Sequence, residues 1–273
     1  MFTYLNPTIR KRLVAERKLV RIDSDGQETP IDAPRVEGAV AINVLGPIPL
    51  PLQLDKVQIT TQWYATVRST ELAQVEELAR DLNKQGGQRS FAELASSMAV
   101  NSVLVIGDIR ASTNPLVRVH SSCLTGDVFG SQRCECGPQF VSALDRIDQD
   151  DQGGLVIYMS GHEGRGIGLW AKAATYLLQD AGENTYEANR SLGLPDDSRD
   201  FSDAAALLHY FVGKRPFRLL TNNPKKTLDL AEFGHTQVTP VKHVTGVNHW
   251  NRRYLTAKRD WGHELSEQDI VKP

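Results

Sequence analysis

The chain has 273 residues, 40% apolar and 23% charged, with a formal net charge of −2. This is the composition of an ordinary globular protein, long enough for one large domain or two modest ones, and it excludes a protein-wide basic field for nucleic acid. No run approaches the roughly 18 apolar residues of a membrane span. The first twenty residues lack the apolar stretch of a secretion signal, so a cytoplasmic location is expected.

Residues 1–43 form a polar lead with one weakly helical stretch, NPTIRKRLVAERKLV, read as an arm or packing helix. The proline-punctuated LGPIPLPLQL (45–54) reads as a boundary. Strand-like alternation follows in VQITTQWYATVRS (57–69), then a helical TELAQVEELARDLNKQ (70–85). SVLVIGDI (102–109) and PLVRVHSS (115–122) read as buried strands. Beyond them helices and strands alternate: helix 139–152, strand 154–160, helix 168–182, helix 201–213, strand 217–221 and helix 224–234. The fold class is therefore α+β or mixed α/β, with a strand-rich N-terminal part. The tail, 243–273, is polar and carries aromatics.

All three cysteines, Cys123, Cys134 and Cys136, fall within CLTGDVFGSQRCEC. An odd, clustered set makes a poor disulfide framework and fits metal-binding or catalytic thiols in a reducing compartment. Zinc takes thiolates, and a three-cysteine set leaves a fourth position for water, as catalytic sites do. A fourth ligand such as His120 or His162 would instead close the site and make the ion structural.

Two strand-to-helix junctions carry anion-binding chemistry. HEGRGIGL (162–169) offers glycines for tight turning, Glu163 as an acceptor for a base edge and Arg165 as a phosphate fork. In TNNPKK (221–226), Asn223 and Pro224 explain themselves as a cap and first helical residue. Lys225 and Lys226 oppose the helix dipole there unless an anion binds. LPDDSRDF (194–201) reads alone as a charged loop, and Tyr176 alone as core.

Together and in this order, RVHSSCLTGD, RCECGPQF, GHEGRGIGL, YLLQD, LGLPDDSRDF and RLLTNNPKK resemble the GTP cyclohydrolase II family of riboflavin synthesis, from about residue 45 onward. The resemblance implies hydrolysis of GTP with opening of the imidazole ring, release of formate and pyrophosphate, and a 2,5-diaminopyrimidinone product. It implies a catalytic zinc on Cys123, Cys134 and Cys136, with its water attacking the ring carbon between the two imidazole nitrogens. It implies nucleotide contacts at Arg118, Val119, His120, Ser121, Ser122, Gln139, Glu163, Gly164, Arg165, Thr185, Thr221 and Lys226. Asp197 matches the proton acceptor, Arg199 the nucleophile at the α-phosphate and Tyr176 the active-site tyrosine. On physical grounds Arg199 serves equally as an electrostatic clamp, because guanidinium is normally charged. Mg²⁺ on the triphosphate and a homodimer are implied as well.

On this reading residues 1–43 are an N-terminal extension, 44–235 the catalytic domain, and 236–273 a C-terminal segment of the same domain, partly mobile. The chain departs from the family's pattern at Ser122, where a glutamate is usual, and at Ala174, where a basic residue is usual. Those departures keep two alternatives open: a paralogue opening the ring of a uracil nucleotide, and a catalytically silent nucleotide-binding paralogue with structural zinc.

Overall fold

The computed structural model describes residues 5–34, 36, 38–54, 57–73 and 99–271. Its frame is one nine-stranded mixed sheet in the order β2-β1-β3-β4-β5-β7-β6-β8-β9. The strands are β1 (Leu19–Asp23), β2 (Glu28–Thr29), β3 (Ala41–Leu54), β4 (Val57–Arg68), β5 (Asn101–Ile106), β6 (Leu116–Ser121), β7 (Gly154–Met159), β8 (Phe217–Leu220) and β9 (Val238–Val241). Pairing is antiparallel from β2 through β7 and parallel across β7, β6, β8 and β9. The polar lead thus divides into a helix, α1 (Pro7–Ala15), and two strands of the common sheet, with β1 paired to the first residues of β3.

The expected boundary at 45–54 is instead continuous strand. β1 pairs β3 only as far as Leu45, whereas β4 pairs it from Ile42 to Leu54, with a register shift between Leu45 and Ile48. Beyond Leu45 no described strand lies on the other side of β3. Pro47, Pro49 and Pro51 fall at alternate positions. The ladder to β4 can therefore draw its donors from the residues between them, and the missing N–H groups face the open side. The helix expected over 70–85 lies largely outside the described residues.

Strand periodicity places alternate side chains in two cores. Val103, Val105, Val117, Val119, Leu155 and Ile157 meet the helix Ser202–Phe211 on one face. Leu104, Ile106, Leu116, Val156 and Leu220 meet Leu144 and Ile147 of the helix Cys136–Asp148 on the other. Helices on both faces force parallel strands to be apolar, as GLVIYM is, and as β6 is except at Arg118 and its last two residues, His120 and Ser121. In such sheets ligands bind beyond the carboxyl ends of the strands. Ser121, Ser160 and Thr221 mark those ends for β6, β7 and β8.

Continuing in chain order, the helices are α2 (Leu124–Asp127), α3 (Cys136–Asp148), the one-turn α4 (Glu163–Gly166), α5 (Gly168–Asp180), α6 (Thr185–Ser191), α7 (Ser202–Phe211), α8 (Pro224–Glu232), α9 (Arg252–Asp260) and α10 (Glu267–Val271). The tail packs its own small cluster of Leu255, Leu265 and Ile270. Among the described residues no helix is long and apolar enough to cross a membrane.

Candidate active site

β6 delivers Cys123 to the N-terminus of α2, and the loop back into α3 supplies Cys134 and Cys136. The three sulfurs lie within 4.8 Å of one another, with Cys123 Sγ and Cys134 Sγ 3.6 Å apart. Gly126 makes this convergence possible. A Cβ there would stand 2.9 Å from Cys134 Sγ and 3.1 Å from both Cys123 Sγ and Cys136 Cβ. Gly137 is required from the other side, since its Cβ would meet the Gly126 carbonyl at 2.3 Å.

Neither histidine weighed as a fourth ligand joins the trio. His120 Nε2 faces the Asp127 carboxylate at 3.2 Å, so this nitrogen carries the proton and donates. His162 donates from Nε2 to the Asp200 carbonyl at 2.9 Å, which leaves Nδ1 to accept from the Ser121 hydroxyl. Burial pushes the His162 pKa down to about 4, so the ring is neutral at physiological pH. Asp127 also accepts from the Cys123 amide and the Tyr158 hydroxyl, fixing the start of the cysteine loop.

Three thiols this close cannot all ionise without a cation among them. Hydrogen bonds from Cys134 and Cys136, and then from the Lys172 ammonium, hold Cys123 far below the usual thiol range. Donating those hydrogen bonds to Cys123, together with burial, pushes Cys134 and Cys136 up. A thiophilic divalent ion such as zinc fits this donor set, because it relieves the repulsion among three converging thiolates. Lys172, buried on α5, donates to Cys123 Sγ at 3.0 Å and to Glu163 Oε1 at 2.6 Å.

The trio opens on a cleft lined by side chains from several elements. Its lining includes Arg118, Arg133, Arg165, Lys172, Arg199, Lys226 and Lys258, against the single carboxylate of Glu135 among the described residues. A chain of net charge −2 has thus built a local field for an anion. The two lysines of TNNPKK separate here. Lys225 pairs with Asp229 one turn along α8 and needs no further explanation. Lys226 is buried in the cleft and donates to the Val119 carbonyl at 2.7 Å. Burial, followed by repulsion from Arg118, Arg199 and Lys258, pushes its pKa well down. Burial likewise lowers Arg118 to about 10, and that guanidinium donates only to the Leu220 carbonyl and the Gln139 amide oxygen. Both cations lack a carboxylate partner among these bonds, which is the electrostatic signature of a binding site.

The HEGRG turn is built by left-handed backbone: φ is 60° at Gly164, 66° at Arg165 and 87° at Gly166. At Arg165 that conformation costs on the order of 1 kcal/mol, offset where its guanidinium bonds Thr185 and Tyr186 and stacks over the Tyr186 ring at 4.2 Å. The Arg165 carbonyl accepts from the Ser198 amide, and this bond brings the LPDDSRDF loop against the turn. Arg199 then grips Asp197 through Nε and Nη2 at 2.8 and 2.6 Å, and reaches the Ser121 hydroxyl from Nη1 at 3.3 Å. Burial works to raise Asp197, but hydrogen bonds and charge from Arg199 win and hold it below the carboxylate range. Burial works to lower Arg199, and Asp197 reverses that too, so the guanidinium stays charged. The Tyr176 hydroxyl lies 3.2 Å from Thr125 Oγ1 at the cysteine loop, with Arg133 stacked 4.4 Å over its ring.

Most residues singled out in the sequence line this one cleft; three do not. Val119 sends its side chain into the core and offers only its carbonyl, to Lys226. Glu163, expected at a base edge, spends its carboxylate on Lys172 and on the amides of Leu124 and Gly164. Asp197 stands behind Arg199. Gln139 does line the cleft, yet its amide is engaged by Arg118 and the His243 carbonyl. Ser122 donates to the Ser160 carbonyl at 2.9 Å, tying the ends of β6 and β7. Ala174 is not among the lining residues. Lys172, Tyr254, Lys258 and His263 line the cleft and were missed, although Lys172 could have been found from its place one turn before Tyr176 on a helix.

A three-thiol nest that could hold a metal ion thus stands at the end of a cationic cleft, on parallel strand ends. Residues 79–241 match the family described as GTP cyclohydrolase II, and the chain belongs to that family. Within it the similarity is to riboflavin biosynthesis proteins. The protein RibBA of Nocardia farcinica is 53% identical over 163 residues, 59% of this chain and 39% of that protein. RibBA of Salinispora arenicola is 46% identical over 187 residues, 68% of this chain and 43% of its own length. The chain therefore spans about two fifths of the length of the curated relatives it matches.

Proposed function

We propose that the chain hydrolyses GTP, opening the imidazole ring and releasing formate and pyrophosphate, the step that commits the purine to riboflavin synthesis. The observation that carries this reading is the convergence of three thiols beside seven cations in one cleft. When bound by the three thiolates, zinc supplies Lewis acidity and an activated nucleophile at neutral pH. Lys226 and Arg118, which have no carboxylate partner among the described residues, receive the Mg²⁺-associated triphosphate. Arg199 acts as a clamp on the phosphoryl group rather than as a nucleophile, since Asp197 holds it cationic and a guanidinium cation has no lone pair to give. Asp197 fixes the fork in place by two bonds. Tyr176, whose hydroxyl meets Thr125 at the cysteine loop, passes a proton to the departing ring nitrogen on this reading.

The homodimer belongs to the same reading. Trp170 and Leu177, two turns apart on α5, are 90% and 73% exposed, and a partner subunit would cover them. The test is incubation of zinc-loaded protein with GTP and, separately, with uridine nucleotides. Formate and pyrophosphate in equal amounts from GTP are expected, with the absorbance of the diaminopyrimidinone. Turnover of a uridine nucleotide alone would replace this reading with the uracil one.

A further inference from the structure

The family match ends at residue 241, yet three residues beyond it, Tyr254, Lys258 and His263, line the cleft. We propose that the C-terminal segment around α9 is a wall of the nucleotide site, latched to the cysteine loop, and that it sets affinity for the nucleotide's phosphates. The proposal rests on the nucleotide reading above.

Three contacts hold the wall. Lys258 pairs with Glu135, the residue between Cys134 and Cys136; the Glu135 side chain is buried, at 4% exposure, and that of Lys258 is partly buried, at 15%. Trp261 stacks on Tyr186 at 4.4 Å and 12°, the same ring that carries Arg165 on its surface. The Glu264 amide donates to the Asn222 carbonyl at 2.8 Å, next to the loop that carries Lys226. Each contact joins the segment to a different part of the cleft: the thiols, the HEGRG turn and the TNNPKK loop. The Tyr254 ring centroid lies 5.8 Å from the Arg165 guanidinium, against 4.2 Å for Tyr186. Burial and the charges of Lys258, Arg165, Arg199 and Lys226 keep His263 neutral, which places its ring among the cations a phosphate chain would meet.

The latch has a direct electrostatic consequence. Among the described residues Glu135 is the one carboxylate lining the cleft, and Lys258 pairs with it. Without Lys258 a bare carboxylate faces the incoming phosphates. The experiment uses full-length, metal-loaded protein and follows Trp fluorescence and equilibrium dialysis with GTP, UTP and inorganic tripolyphosphate. Lys258→Met is expected to weaken binding of all three by about tenfold or more. Lys258→Met combined with Glu135→Gln is expected to recover part of that loss. Lys242→Ala, which removes the same charge from an exposed pair in the same segment, is the control.

Unchanged affinity in Lys258→Met and His263→Ala would overturn the proposal, as would an equal loss in Lys242→Ala. Loss of affinity in Lys258→Met with no recovery in the double variant would reduce the latch to a structural tie and also overturn it. If GTP binds but yields no formate, the catalytic reading fails while the ratios between variants still decide the wall. Absence of nucleotide binding by the unaltered protein counts against both.

Discussion

Replacing Gly126 with alanine adds one methyl group at the back of the cysteine nest. That methyl would stand 2.9 Å from Cys134 Sγ and 3.1 Å from Cys123 Sγ. Carbon contacts settle at ~3.5–4.0 Å, so at least one sulfur must retreat by roughly 0.6 Å. Metal–ligand distances tolerate only about 0.2 Å, a third of that displacement. The sulfurs cannot retreat freely, because Gly137 packs directly against the Gly126 carbonyl. Overpacking of this kind costs about 1–3 kcal/mol, which at this chain length lowers Tm by roughly 2–10 °C. Zinc affinity should fall further, by about 100-fold, since distorted geometry acts on the ligands themselves. Competition against a chromogenic chelator measures the affinity, and calorimetry measures the Tm. An unchanged zinc affinity with a lowered Tm would refute the argument, because it would show that the glycine serves packing alone.

Lys226→Met should raise the Tm of the free protein while weakening nucleotide binding at least tenfold, because a buried ammonium without a counter-ion is stored cost; thermal melts with and without GTP test both signs. Lys172→Met should lower zinc affinity about 10–100-fold, and Co²⁺ substitution should show a shifted sulfur-to-metal charge-transfer band that Lys172→Arg partly restores. Arg199→Ala should abolish pyrophosphate release and cost about 3 kcal/mol by leaving Asp197 buried and unpaired. The pH dependence follows from the depressed Asp197 pKa: its stabilisation is complete above the unfolded value near 3.9 and is lost as pH falls through the folded value. Urea midpoints between pH 6 and pH 3 should therefore fall less steeply in Arg199→Ala than in the unaltered protein.

How much of this was legible in the sequence depended on the range of the interactions. The parallel strands and their helices were readable because LV and GLVIYM are runs of apolar residues and the helices carry their own caps and stops. The cysteine trio was readable because its ligands are clustered in sequence. The helix Thr185–Ser191 was readable but overlooked: Asn184 and Glu187 form a capping box. Long-range pairing was not readable. Nothing local in α9 announces that Lys258 meets Glu135, 123 residues away. The prolines of β3 misled because their permissibility depends on which side of a strand is covered, a property of the sheet and not of the segment. Glu163 is legible only in part. A carboxylate beside a phosphate fork is as apt for a base as for a lysine, and only the fold shows that Lys172 takes it.

The half-open β3 also bears on how this chain avoids its own copies. A strand with one unpaired side is a template for another strand, whether from a nascent neighbour or a partly unfolded one. From Pro47 to Pro51 that side offers no row of donors, because every second nitrogen lacks its hydrogen. An incoming strand would forfeit its hydrogen bonds at each of those positions. Substituting Pro49 and Pro51 with valine would leave the ladder to β4 intact and make the edge adhesive. Such a variant should fold and then accumulate oligomers through sheet-to-sheet pairing.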